Sequence, residues 1–368
     1  MSTNLEVGIV GLPNVGKSTL FNAITKAGAA AENYAFCTID PNVGVVDVPD
    51  PRLDRLTEIT KPKQTVPTAM RFVDIAGLVK GAAEGEGLGN KFLAHIREVD
   101  AIAQVVRCFE DENIMHVEGN LDPLRDIEII STELCLADME TLDKRYDRLA
   151  KMAKSGDKKT LAELEHLKPA KAALDEGIPL RRVDLSDESK EVLRDLHLLT
   201  LKPVLFVANV GEEEVTHADE NPAVQLVKKY AAEEGAEVIC VSAKLEAEIA
   251  ELEGEEAREF LQEIGLSESG LDQLIRASYK LLGLITFFTA GEIEVRAWTI
   301  RGGTKAPQAA GKIHTDIERG FIRAEVTSYD DLDRLGGQTA AKEKGLVRLE
   351  GKEYEMKDGD VVYFRFNV

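Results

Sequence analysis

Near the start of the chain, Gly11-Leu12-Pro13-Asn14-Val15-Gly16-Lys17-Ser18 combines residue types and spacing that grip a polyphosphate. Glycines let the backbone turn its N–H groups inward, lysine adds a point charge for the β- and γ-phosphates, and the serine hydroxyl can ligate Mg²⁺. The apolar run Val7-Gly8-Ile9-Val10 before the loop reads as a strand, and Thr19 to Ile24 after it as a helix. That strand–loop–helix context separates a working phosphate loop from a chance match. Nucleotide phosphates are therefore expected against Asn14, Val15, Gly16, Lys17, Ser18 and Thr19, with Lys17 also serving the chemistry.

A second signature, Asp74-Ile75-Ala76-Gly77, closes another apolar run. An aspartate there holds Mg²⁺, often through water, and the Gly77 amide can sense the γ-phosphate. Between the two signatures lies Phe36-Cys37-Thr38-Ile39-Asp40-Pro41-Asn42, which places Thr38 as a second Mg²⁺ hydroxyl in a switch loop. The expected metal set is thus Ser18, Thr38 and Asp74.

Leu78 follows Gly77, where signalling GTPases carry the glutamine that orients the attacking water. Leucine forms no such hydrogen bond. The substitutes are backbone groups, a bound monovalent cation or a side chain delivered by a loop. Asn14 either helps hold K⁺ between the phosphates or simply hydrogen-bonds within its loop. His116 is the nearest polar loop candidate for positioning water, and the alternative for a lone histidine is a structural role. The glycine-rich stretch 81–90 has the freedom a nucleotide-sensing switch needs.

Base choice is expected at Asn209-Val210-Gly211-Glu212. Guanine-specific proteins use Asn-Lys-x-Asp here, the aspartate accepting from guanine N1–H and its amine. This chain lacks the lysine and carries a glutamate one methylene longer. A site that leaves polar groups unpaired discriminates strongly, so weak guanine preference, or adenine preference, follows. Ser242-Ala243-Lys244 reads as the second base-flanking loop, with Asn209, Val210, Glu212, Ser242 and Ala243 as the nucleotide-binding positions.

The elements that must hold these residues are legible in outline. The 368 residues suggest two or three domains. A hydrophobic share of 44% and a mean hydropathy of −0.17 are those of a globular protein, and no apolar run is long enough for a bilayer. The first six residues lack the basic and apolar segments of a signal peptide, and four scattered cysteines read as reduced thiols, so a cytoplasmic, membrane-free monomer is expected. Net charge is −21, which argues against indiscriminate nucleic-acid binding. Two basic islands stand out on this acidic body. Lys144 to Lys171 carries nine Lys/Arg against four Asp/Glu, and Arg296 to Arg323 carries six against two. Each is a docking surface or an ordinary solvated face.

Apolar runs at Leu5–Val10, Val43–Val48, Met70–Ile75, Ala101–Cys108, Pro203–Asn209 and Val238–Ser242 suit a sheet buried on both faces. Between them, Ile127, Ile130, Leu134, Ala137, Leu142, Tyr146, Leu149 and Met152 mark one face of a long helix. Ser155-Gly156-Asp157 breaks it, a second helix runs from about Lys158 to Leu174, and Ser186 caps a third. After Leu282, strands are expected at Ile285–Phe288, Glu294–Ile300, Lys312–Ile317, Phe321–Val326 and Val361–Phe366.

Taken together, GLPNVGKST (11–19), FCTIDPNVG (36–44), DIAGLVKGAAEGEGLGN (74–90), NVGE (209–212) and AGKIHTDIERGFIRAE (310–325) resemble the Obg-related NTPases, and within them the YchF or Obg-like ATPase branch. The resemblance spans essentially the whole chain. It implies an α/β fold: a Ras-like P-loop domain over 1–122 and 200–282, an inserted helical hairpin or coiled coil over 123–199, and a C-terminal β-grasp-like TGS domain over 283–368. It further implies ATP in preference to GTP, Leu78 in place of the catalytic glutamine, Mg²⁺ on Ser18 and Thr38, and binding to the ribosome as a large subunit or 70S-type particle. The basic islands fall in the hairpin and TGS regions, where RNA contacts would be useful. The expected activity is ATP hydrolysis to ADP by a switch. The alternatives are a GTPase of the same fold, a small-molecule kinase, and a module that only senses nucleotide.

Overall fold

The computed structural model describes residues 5–27, 42–75, 88–111, 114–117, 119–154, 156–252 and 254–367. Cys37, Thr38, Gly77 and Leu78 lie outside these residues. In chain order the elements begin β1 (Glu6–Val10), α1 (Lys17–Ala27), β2 (Val43–Asp47), α2 (Pro51–Thr60), β3 (Gln64–Val66), β4 (Ala69–Asp74), α3 (Leu88–Glu98) and β5 (Ala101–Arg107). Then come α4 (Pro123–Ala153), α5 (Lys158–Asp175), α6 (Asp187–Leu193), β6 (Val204–Asn209), α7 (Pro222–Glu234), β7 (Val238–Val241), α8 (Ala243–Ile249), α9 (Gly254–Glu263) and α10 (Gly270–Leu281). The chain closes with β8 (Leu284–Ala290), β9 (Glu294–Arg301), α11 (Ala306–Ile313), α12 (Thr315–Arg319), β10 (Phe321–Ser328), α13 (Tyr329–Leu335), α14 (Gln338–Glu343), β11 (Arg348–Glu350) and β12 (Asp360–Phe366).

The contacts divide the chain into two compact units. Leu5–Val45 with Arg71–Ser278 form one; Val46–Met70 join Tyr279–Val368 in the other.

In the larger unit the strand order is β2-β4-β1-β5-β6-β7, with β1 parallel to β4 and β5, and β5, β6 and β7 parallel in turn. Every residue of β5 and β6 is buried, the apolar ones together with the polar Gln104, Arg107 and Asn209. The order reverses around β1, so the loop leaving its carboxyl end opens at a topological switch point, where ligands of α/β sheets bind.

Helices α4 and α5 form the inserted hairpin. Pro123 opens α4 behind the N-cap Asp122, and Asp157 caps α5 by accepting from Thr160 N at 3.0 Å. Leu142 and Leu149 of α4 pack with Leu164, Leu167, Ala170 and Leu174 of α5, and Leu185, Leu193 and Leu198 complete this core. Met152, expected on the same face, is 54% exposed in the last turn of α4. Asp138, buried in mid-helix, accepts from the Leu199 and Thr200 amides at 2.8 and 2.7 Å and fixes the return of the chain.

The second unit holds a sheet ordered β11-β10-β12-β8-β9-β3, parallel only at β12·β8 and β3·β9. Residues 46–70, assigned from sequence to the nucleotide domain, are part of this unit. Leu53 and Leu56 of α2 lie three apart on one helix face and pack with Phe288, Val295, Ala297 and Leu332. Strand β3 extends the sheet edge, Gln64 opposite Glu294. Arg52 joins Asp50 and Asp358 at 2.8 and 2.7 Å.

One expected strand is corrected: Lys312–Ile317 spans the end of α11 and most of α12. Pro at the start of α11 and buried Ala306, Ala309 and Ala310 at helical spacing set the helix, and the His314 ring accepts from Asp316 N to start the next.

Candidate nucleotide-binding site

β1 ends at Val10, and the next six residues turn the chain into α1. Space fixes both flanking glycines. A Cβ at Gly11 would stand 2.9 Å from the Val105 carbonyl oxygen, and one at Gly16, whose φ is +93°, would overlap the Asn209 amide. Asn14 takes φ of +63°, a left-handed conformation that asparagine tolerates better than most. Lys17 is buried and ion-paired with Asp74, so the two signatures expected to share a metal–phosphate site are brought together. Ser18 and Thr19 are exposed at the start of α1.

Asn209 ties the site together. At the end of β6 and 3% exposed, it donates from Nδ2 to the Val15 carbonyl at 2.8 Å and accepts at Oδ1 from the Ala243 amide at 2.9 Å. One side chain thus locks the phosphate loop to the loop after β7, the expected second base loop.

A cavity of about 590 Å³ opens beside this knot. It is lined by Asn14, Gly16 and Thr19 of the phosphate loop, Asn209 to Glu212 after β6, and Ser242 to Lys244 after β7. Phe109, Glu110, Asp111 and Ile114 close it from the segment after β5. Its size is that of a small-molecule site, and eight of the expected nucleotide positions line it. Val15 is buried behind the loop, with its carbonyl held by Asn209. Glu212 pairs with Lys244 at 2.5 Å between Oε2 and Nζ, and this bond raises the Lys244 pKa.

Two of the expected residues have partners within the protein. Asn14 donates from Nδ2 to the Met115 carbonyl at 3.2 Å, the loop-bonding alternative. His116 meets Asp126, in the first turn of α4, at 2.7 Å through Nε2, its side chain only 5% exposed. This anchors the 114–117 loop to the long helix. Sequence reasoning missed Arg107, whose buried guanidinium donates to the Phe109, Ile114 and Asp111 carbonyls at 3.0, 2.9 and 3.4 Å. A lone arginine ending an apolar strand was the only signal.

Behind the second base loop, the Glu246 carboxyl of α8 accepts from the Gly270 amide at 2.8 Å, and its Oε2 has no partner. Burial pushes its pKa up to about 7 against the pull of the Gly270 and Leu271 amides.

Residues 6–138 match a family described as 50S ribosome-binding GTPase, and residues 284–367 match the C-terminal YchF-GTPase family, described as a protein of unknown function. The ribosome-binding ATPase YchF of Bacillus subtilis (strain 168) is 62% identical over 364 residues, covering 99% of this chain and 100% of the relative. The ribosome-binding ATPase YchF of Escherichia coli O157:H7 is 58% identical over 363 residues, 99% of each chain. The solved structure of the Schizosaccharomyces pombe YchF GTPase matches with a TM-score of 0.89 at 42% identity, over 99% of this chain and 98% of that one.

Proposed function

This chain belongs to the YchF family, and from that premise we propose that it is a Mg²⁺-dependent, ATP-hydrolysing switch that binds the ribosome. The observation that carries the reading is Asn209, which joins the phosphate loop to the wall of a cavity lined by Glu212 and Ala243. Triphosphate and base sites are thereby one structure.

The backbone N–H groups of residues 14–18 bind the phosphates. Lys17 leaves Asp74 for the incoming charge, which frees the carboxylate. Ser18, Thr38 and Asp74 offer hard oxygen donors that suit Mg²⁺, an ion that needs few protein ligands when phosphates supply the rest. When bound, the ion supplies electrostatic stabilisation of charge on the transferred phosphoryl group. Gly77 senses the γ-phosphate, and with Leu78 beside it the water is oriented by backbone groups or by K⁺ near Asn14. His116 contributes by holding the loop that Asn14 touches.

The hairpin tip supports a ribosomal docking role. Arg148, Lys151, Lys154, Lys158 and Lys159 are exposed there, whereas Lys144, Arg145, Lys168 and Lys171 are engaged by carboxylates further down. The second basic island, Arg296 to Arg323, supplies the C-terminal surface. The large subunit or a 70S-type particle is the proposed partner, with the chain acting as a cytoplasmic monomer; among the described residues no helix is long and apolar enough to cross a membrane. Co-sedimentation with ribosomes tests the switch: particles should retain the protein with a non-hydrolysable ATP analogue and release it with ADP. Equal retention contradicts the proposal.

A guanine-specific reading is favoured by the S. pombe neighbour, which is described as a GTPase. Glu212 in the place of the guanine-reading aspartate argues for adenine instead.

A further inference from the structure

The two base loops are bridged by one side-chain pair, Glu212 from the end of β6 and Lys244 at the start of α8, 2.5 Å apart. We infer that Lys244 is a specificity-determining residue, which commits one Glu212 carboxylate oxygen and so turns a two-acceptor guanine reader into a one-acceptor adenine reader. The inference rests on the reading of the 590 Å³ cavity as the nucleotide site.

The chemistry is a count of donors and acceptors. Guanine offers N1–H and an exocyclic amine side by side, and a carboxylate with both oxygens available accepts both. Adenine offers one exocyclic amine beside an unprotonated N1. A carboxylate alone sets a lone pair against that N1, whereas a carboxylate joined to an ammonium presents one acceptor and one donor. Among the described residues lining the cavity, Lys244 is the only Lys or Arg, beside Glu110, Asp111 and Glu212. Binding guanine through both oxygens therefore sets its donors in competition with the Lys244 ammonium for Oε2, and among the described residues no other Lys or Arg lines the pocket. The Lys244 side chain is 72% exposed and that of Glu212 36%, so the pair is largely solvated, its contribution is modest, and its effect falls on the ratio between two ligands rather than on binding as a whole.

Calorimetric titration of ATP and GTP into wild type, Lys244→Met, Lys244→Arg and the double variant Lys244→Met/Glu212→Gln tests the assignment. Methionine keeps the aliphatic stem and removes the charge. Lys244→Met should narrow the ATP-over-GTP preference by about two- to fivefold, chiefly by tightening GTP. Lys244→Arg should hold the ratio within twofold of wild type, and adding Glu212→Gln should cancel the gain in GTP binding. A residue with only a structural role would weaken both nucleotides together and leave the ratio alone. Should Lys244→Met prove insoluble, Lys244→Gln gives the same readout. A wild-type preference for GTP overturns the adenine reading itself. A wild-type preference for ATP that Lys244→Met leaves within twofold overturns the role of Lys244 alone.

Discussion

Asn209→Ala removes the knot of the site, and its cost can be worked from the contacts. The amide makes two bonds, at 2.8 Å to the Val15 carbonyl and at 2.9 Å from the Ala243 N–H, in a position that is 3% exposed. Alanine leaves both backbone groups unpaired, and each orphaned buried group costs about 1–3 kcal/mol. The variant should therefore lose about 2–6 kcal/mol, divided between folding stability and nucleotide affinity because the two orphans belong to the loops that hold the ligand. Chemical denaturation of the ligand-free protein and calorimetric titration of ATP measure the two shares. Asn209→Asp sharpens the test. It keeps the acceptor for Ala243 but sets an anionic oxygen against the Val15 carbonyl, beside the phosphate loop. ATP should bind Asn209→Asp more weakly than Asn209→Ala. An alanine variant within about 0.5 kcal/mol of wild type in both measurements would refute the role given to Asn209, since that is the scatter of an ordinary surface substitution.

Three other expectations follow from particular contacts. Ending the chain after residue 282 strips α2 of its partners and exposes Leu53 and Leu56, at about 1.5–3 kcal/mol each, so the truncated protein should aggregate or lose its α2 amide protection in hydrogen exchange; a soluble fragment with α2 protected as in the whole chain argues against this packing. Glu246 is a carboxyl whose folded pKa, about 7, stands above its usual 4.5, so the fold holds the proton more tightly than the unfolded chain. Its contribution is complete below pH 4.5 and is lost as pH rises through 7, by about 3 kcal/mol, and Glu246→Gln should flatten that loss and be the more stable protein at pH 8. Reversing Lys151, Lys154 and Lys158 to glutamate at the hairpin tip should weaken ribosome co-sedimentation at least tenfold and reduce its salt dependence, while circular dichroism and ATP affinity stay as in wild type; unchanged pelleting would move docking elsewhere.

The features legible in the sequence are those written locally. The phosphate loop, the aspartate of β4 and the two base loops each occupy a few consecutive residues at the end of an apolar strand, so pattern alone finds them. The strands of the larger sheet are equally plain, because burial on both faces demands unbroken runs such as Val204 to Ala208. What escaped depends on distant partners. The three residues of β3 pair with a strand well over two hundred positions away, and a ten-residue helix with two buried leucines says nothing of where its face is covered. Lys312–Ile317 misled because a short apolar alternation reads as a strand until the buried alanines before it are seen as a helix face. The histidine of the 114–117 loop reads from sequence as a water-positioning candidate, yet Asp126 sits within reach only after α4 folds back. Arg107 bonds carbonyls only two to seven residues further on, but nothing in the pattern says that the chain curls back over it, whereas Lys244 meets Glu212 from a separate loop 32 residues away.

The most direct measurement is ATP and GTP titration into wild type and Lys17→Ala, with folding checked in parallel. ATP should bind the wild type more tightly than GTP, and Lys17→Ala should lose at least about tenfold in ATP affinity, the least expected when a charge-assisted bond to phosphate is removed. A well-folded Lys17→Ala protein that binds ATP as wild type does would contradict the account at its root.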